Sequence, residues 1–292
     1  MDNPERLKKK DQYPLPLKIA RWLFPKLEAY APGLAHRYFE KIFFTPLHYP
    51  VPEKEKKAET FATRFTVTAA GKTIQCYSWG EGRPVLLIHG WAGRATQFRR
   101  FVKPLMNAGY KVVAFDGPAH GQSEGKRTSL DEFEAAIRAV YAKIGEPVAV
   151  IAHSFGGGAA LFSAMHGVAI KKLVMIASPS VGDEIINTYL RTINGTRPTG
   201  EYFKKFILDT TGKPFDEYTA QHFVTQLKTP IDLLMVYDEE DREVPMVHAN
   251  TLMKLYPSAM LIRTKGLGHT RILKDDHVIA ACVTFVRNGA SG

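Results

Sequence analysis

The sequence predicts an α/β protein: a mostly parallel central sheet with helices on both faces, a helical insertion late in the sheet and a helical arm ahead of it. Three observations point there. From about Phe61 onward, short apolar runs alternate with amphipathic helical patterns. Most of those runs are continuously apolar, as strands buried on both faces must be. One interval, Ser178 to Thr229, breaks the rhythm without a strand of its own. Strand alternating with helix is the pattern of a parallel sheet covered on both sides.

Residues 1–60 stand apart, rich in Lys, Pro and aromatic side chains. Two short helices fit between the prolines, near Leu17–Phe24 and Gly33–Phe44. Their apolar residues (Ile19, Trp22, Leu23; then Tyr38, Phe39, Ile42, Phe43) fall at helical spacing. With Lys18, Arg21 and Lys26 alongside, the first helix has two readings. It lies weakly on a membrane surface, or the arm packs its aromatic face on the domain. The second is the simpler.

Arg64–Ala69 and Thr73–Trp79 alternate around Ala70-Gly71-Lys72 and read as a hairpin. Val85–Ile88, Lys111–Phe115, Val148–Ala152, Leu173–Ala177, Ile231–Tyr237 and Met260–Arg263 supply the further strands. Helical patterns occupy Ala95–Asn107, Leu130–Ile144, Phe155–Met165, Pro245–Leu255 and Lys274–Asn288. Ser129 with Glu132 makes a capping box for the second of these. The strandless interval holds helical pieces such as Phe215–Leu227. An insertion of this size is most simply a lid over the sheet's C-terminal edge. The expected organisation is an arm at 1–60 and a domain at 61–292, with the lid at about 179–229.

Composition narrows the class. The 292 residues are 45% hydrophobic and 23% charged, the balance of a globular chain rather than a disordered or collagen-like one. The net charge of +10 is spread out, with its densest run at Lys8-Lys9-Lys10. No zinc-finger, basic-zipper or RNA-recognition pattern accompanies it, so nucleic acid is not an expected partner. Cys76 and Cys282 are too few for a disulfide framework and lack metal-ligand spacing, which fits a reducing, cytoplasmic setting. No apolar segment of a signal peptide follows Met1. Val148–Ile170 is free of charge and long enough to span a bilayer. It also holds His153, Ser154, His166 and three consecutive glycines, and reads as buried core. Nothing in the pattern speaks to oligomeric state.

A serine nucleophile needs a base, an acid to orient the base, and donors for the oxyanion. In an open parallel sheet these sit on loops at the C-terminal ends of strands. The pattern G-x-S-x-G occurs literally at Gly121–Gly125, but the strand before it ends at Phe115 and a loop intervenes. The motif acts only as a sharp strand-to-helix turn. That context exists at Ala152-His153-Ser154-Phe155-Gly156, which follows a strand and opens a helix. Ser154 is therefore the candidate nucleophile. Gly266-Leu267-Gly268-His269 follows the last strand, making His269 the candidate base on a glycine-bordered loop. Ile231–Tyr237 leads into Asp238-Glu239-Glu240-Asp241, and Asp241 is the best acid because Val244-Pro245 then starts a helix. Asp238 and Asp183 are the runners-up. The oxyanion donors are expected to be the backbone N–H groups of Phe155 and of Trp91, in the loop His89-Gly90-Trp91. The order of these signals is the strong evidence: each follows a different strand, in sequence, on one edge.

With these residues in place, the chain over 61–292 resembles the α/β-hydrolase superfamily. The matching segments are His89-Gly90-Trp91, Asp116 to Ser123, Ala152 to Gly156, Asp238 to Asp241 with Val244-Pro245, and Gly268-His269. The resemblance implies a Ser154–His269–Asp241 triad, an oxyanion hole from Trp91 and Phe155, a lid, and a purely structural loop at Asp116–Ser123. The chain departs from the usual pattern at Ala152, where the first elbow glycine stands, at Asp238, where a glycine usually begins the acid loop, and in residues 1–60. The activity expected is serine-dependent hydrolysis of a small-molecule carboxylic ester, with no metal or organic cofactor. Thioester, peptide or carbon–carbon bond cleavage by the same triad is the nearest alternative. A non-catalytic binding protein of the same fold is more distant.

Overall fold

The computed structural model describes residues 15–288. Three helices lead: α1 (Leu15–Tyr30), α2 (Pro32–Phe44) and α3 (Glu53–Thr60). The hairpin β1 (Thr63–Ala69) and β2 (Lys72–Trp79) follows, then β3 (Arg83–Ile88), α4 (Arg99–Asn107), β4 (Tyr110–Phe115) and α5 (Leu130–Ile144). Next come β5 (Ala149–His153), α6 (Phe155–Met165) and β6 (Lys172–Ile176). The interval before the next strand carries α7 (Gly182–Ile193), α8 (Arg197–Thr211) and α9 (Ala220–Thr225). The chain closes with β7 (Asp232–Asp238), α10 (Val247–Leu255), β8 (Met260–Thr264), the one-turn α11 (Gly268–Arg271) and α12 (Asp276–Arg287).

The strands form one sheet in the order β1-β2-β4-β3-β5-β6-β7-β8. β2 runs antiparallel to β1 and β4, and every other pairing is parallel. The continuous apolar runs have a simple cause: successive side chains enter different cores. Leu86, Val113, Val150 and Leu173 pack beneath α5, α6 and α10. Val85, Leu87, Val112, Ile151 and Val174 face the side covered by α4 and α12. All nine are essentially buried, each stabilising the fold by about 1.5–3 kcal/mol. The stretch Val148–Ile170 divides into β5 and α6, both inside this core. Among the described residues no helix is long and apolar enough to cross a membrane.

The arm differs from its sequence reading in three ways. α1 does not stop at Pro25 but runs through it to Tyr30. Its inward face is Leu17, Phe24 and Leu27, which join Phe39 of α2 against Ile186, Leu190 and Phe203 of α7 and α8. Ile19, Trp22 and Leu23, expected to pack, instead point to solvent with Tyr30 as one stripe; Trp22 is 64% exposed. α3 was not foreseen, since Glu-Lys-Glu-Lys-Lys-Ala-Glu-Thr has no apolar period. It is held by ion pairs instead: buried Glu55 meets Arg94 and Arg99, and Glu59 meets Arg64. The helical pattern at Ala95–Asn107 splits into a 3-10 turn at Ala95–Phe98 and α4, because the Asp116 carboxylate takes the Ala95 N–H.

Candidate active site

Ser154 sits on the single residue between β5 and α6. Its backbone is held at φ 52°, ψ −126°, a conformation a non-glycine residue adopts at a cost of about 1–3 kcal/mol. The surroundings enforce it. A Cβ on Gly156 would stand 2.5 Å from the Ile88 carbonyl oxygen, and one on Gly90 would stand 2.7 Å from the Ser154 Cβ. Only glycine lets β3 and the start of α6 approach this closely. Ala152, in the first glycine position of the turn, is fully buried in the pairing of β5 with β3 and β6, so a methyl group is accommodated there. The Ser154 N–H donates to the Ile176 carbonyl at 2.9 Å, fixing the turn to β6.

His269 lies between the other two predicted residues. Its Nε2 is 3.1 Å from Ser154 Oγ, and its Nδ1 is 2.9 Å from Asp241 Oδ2. The second oxygen of Asp241 accepts the Glu243 and Val244 N–H groups at 2.8 and 3.0 Å, which aims the carboxylate at the ring. Burial disfavours the imidazolium, but the hydrogen bond to Asp241 and the charges of Glu243 and Asp241 outweigh it. The His269 pKa is held above the ordinary 6.5. His269 was expected on a loop and instead stands in the one-turn helix α11.

Asp238 and Asp183, the alternative acids, are elsewhere. Asp238 Oδ2 accepts from the Leu267 N–H at 2.9 Å and Thr264 Oγ1 at 2.8 Å, so it braces the loop that carries His269. Asp183 opens α7 and pairs with Lys204. The histidine bracing was not read from the sequence. His153 Nε2 donates to the His269 carbonyl at 2.9 Å, holding the His269 backbone as Asp241 holds its ring. His153 is buried and its pKa is pushed down to about 3, first by burial and then by the neighbouring His269. The signal available was its place beside Ser154, which says nothing of a partner 116 residues on.

The literal G-x-S-x-G serine has a different occupation. Ser123 Oγ donates to the Asp116 carbonyl at 2.6 Å and accepts the Gln75 N–H at 2.8 Å. It ties the loop after β4 to β2. His89 and His120 serve the same loops: each accepts one backbone N–H, from Gly117 at 2.8 Å and from Ala92 at 3.1 Å. Burial lowers their pKa values to about 4 and 3.

Trp91, one residue past Gly90, and Phe155, the first residue of α6, line the same cavity as Ser154 and His269. Their rings meet edge-on with centroids 5.4 Å apart. The cavity has a volume of about 1460 Å³. Tyr189, Phe206, Phe215 and Tyr218 of the insertion line it. Phe203 is buried between arm and insertion, and Tyr202 bonds Glu40 and stacks on His36. Arm residues Ile42, Phe43 and Phe44 also line the cavity, a role their helical spacing did not reveal.

Residues 85–281 match the model of the alpha/beta hydrolase family, and the chain belongs to that family. A non-heme haloperoxidase from Rhodococcus erythropolis is 34% identical over 119 residues, 39% of this chain and 43% of that protein. Human monoglyceride lipase is 32% identical over 110 residues, covering 34% and 36% of the two chains. The chain therefore spans less than half the length of these relatives. The crystal structure of the Pyrococcus furiosus esterase Pf2001 superimposes with a TM-score of 0.62 at 20% identity, over 84% of this chain and 96% of that one. At that identity the likeness is one of fold.

Proposed function

We propose that this protein is a hydrolase that cleaves carboxylic esters through an acyl-enzyme on Ser154. The observation that carries the reading is one imidazole bridging Ser154 Oγ and a carboxylate already anchored by two amides. His269 Nε2 takes the Ser154 proton as Oγ attacks the ester carbonyl carbon, and the resulting oxyanion rests on the Trp91 and Phe155 N–H groups. Nδ1–H remains bonded to Asp241, which stabilises the imidazolium. His269 then gives its proton to the departing alkoxy oxygen as the C–O bond breaks. Water, deprotonated by His269, attacks the acyl carbon, and Ser154 leaves with its proton restored. The Phe155 donor opens α6, whose dipole adds to the field. Two features suit the site to acyl transfer from an apolar substrate: Ser154, not an aspartate, holds the nucleophile position, and the cavity is predominantly apolar. Thioesters pass through the same steps, with a thiolate leaving in place of an alkoxide.

The test is the pH dependence of kcat/KM on a neutral p-nitrophenyl ester, with folding checked at each pH. His269 must be neutral to accept a proton, and its pKa is raised. The profile is therefore expected to rise through a single ionisation above pH 6.5 and then level off. A profile that falls as pH rises from about 5 to 7 would require a protonated working group and would end the mechanism.

A further inference from the structure

We propose that the cavity over Ser154 is a chamber for a long hydrocarbon acyl chain, and that the N-terminal arm is one of its walls. The proposal rests on Ser154 being the nucleophile. It names the class of substrate: esters of long-chain fatty acids.

Size is the first observation. Small-molecule pockets run to about 300–1,000 Å³, and this one reaches about 1460 Å³. An acetyl group would leave nearly all of it unfilled. Wall chemistry is the second. From the arm come Leu17, Ala20, Ile42 and Phe43; from the insertion come Tyr189, Ile193, Phe206 and Phe215. These offer area and shape, with little to hydrogen-bond. The cavity is also lined by charged groups: Lys126, Arg127 and Lys274 are exposed at its rim, while half-buried Lys72, Arg94 and Arg99 are paired with Glu132 and Glu55.

The third observation is that arm and insertion make one continuous wall. The Phe43 ring lies 4.6 Å from that of Tyr189 and 4.4 Å from that of Phe203, while Phe43 itself lines the cavity. Behind this contact, Phe24 and Phe39 are fully buried against Ile186, Leu190 and Phe203. Polar clasps fix the join. Arg21 donates to the Arg191 and Thr192 carbonyls, each at 2.8 Å, and Glu28 accepts from Thr196 and Thr199. Among the described residues, none of the arm takes part in the hydrogen bonds that join Ser154, His269 and Asp241. A substrate gains from its apolar surface only by carrying hydrocarbon well beyond the reacting carbonyl.

The experiment measures kcat/KM for p-nitrophenyl esters from acetate to dodecanoate, with the wild type and Ala20→Trp, which fills the chamber from the arm. Binding of dodecanoate to Ser154→Ala by calorimetry gives a readout independent of turnover. Burial of each methylene is expected to raise kcat/KM by about fourfold until the chain is long. Ala20→Trp should cut the dodecanoate-to-acetate ratio at least about tenfold, since overfilling costs the long chain its place. Should Ala20→Trp fail to fold, Phe43→Ala replaces it and should weaken dodecanoate binding to the Ser154→Ala background. Preference for acetate, or no dodecanoate binding, overturns the chamber while ester hydrolysis stands. A long-chain preference that neither arm variant disturbs overturns the arm's part in it. No hydrolysis of any ester, with no labelling of Ser154 by a fluorophosphonate, removes the reading beneath it.

Discussion

At the scale of single residues, the division of labour between two neighbouring aspartates is the sharpest feature. Asp241 faces the His269 ring, whereas Asp238 holds the loop that brings the ring there. Asp241→Asn should lower kcat on the order of 10³–10⁴-fold, since an amide neither fixes the required tautomer nor stabilises the imidazolium. Asp238→Asn retains one acceptor oxygen for the loop and should cost far less in kcat, with its effect in thermal stability instead. Steady-state kinetics on both variants, alongside melting curves, decides it; equal losses in kcat would remove Asp241 from the acid's role. That Ser154, His269 and Asp241 meet was legible because each stands at a strand end, which the apolar runs mark. His153 was not, because its partner is a backbone carbonyl 116 residues distant and any histidine beside a serine reads alike.

At the scale of elements, the strands were the most legible, since burial on both faces leaves a signal in every residue. Their ends slipped by a residue or two, as at Lys172–Ile176 against the expected Leu173–Ala177. The helices outside the sheet were harder. α1 continues through Pro25 because Phe24 and Leu27, on either side of the proline, are both packed against the insertion, and tertiary burial outweighs the lost backbone bond. α3 carries no apolar pattern, being held by charges whose partners lie on β1 and around α4. The arm and the insertion also share a helix terminus. The Thr196 side chain caps none of the N–H groups of α8; Glu28 of α1 instead accepts the Thr196 N–H at 2.9 Å together with the Thr196 and Thr199 hydroxyls. A carboxylate there complements the helix dipole as well. Glu28→Ala should therefore destabilise by about 1–2 kcal/mol, with faster amide exchange confined to α7 and α8. Exchange unchanged in those helices would mean that the apolar packing alone joins them to the arm.

At the scale of the whole molecule, the sheet acts as a ruler that sets three distant segments on one edge. β5 delivers Ser154, β7 delivers Asp241 and β8 delivers His269, with the parallel pairing β5-β6-β7-β8 fixing their spacing. Above that edge, an arm and an insertion separated by more than a hundred residues close on one cavity. The sheet was readable from local pattern. The union of arm and insertion was not, because a helix records which of its faces is apolar but not what covers it, and here α1 has two such faces. The central claim remains that one serine among those of this chain is activated. Labelling with a fluorophosphonate, followed by peptide mass spectrometry, tests it most directly. Modification is expected at Ser154 alone, lost in Ser154→Ala, strongly slowed in His269→Ala and retained in Ser123→Ala. A label on Ser123, or labelling of Ser154 that persists at full rate without His269, would contradict the account.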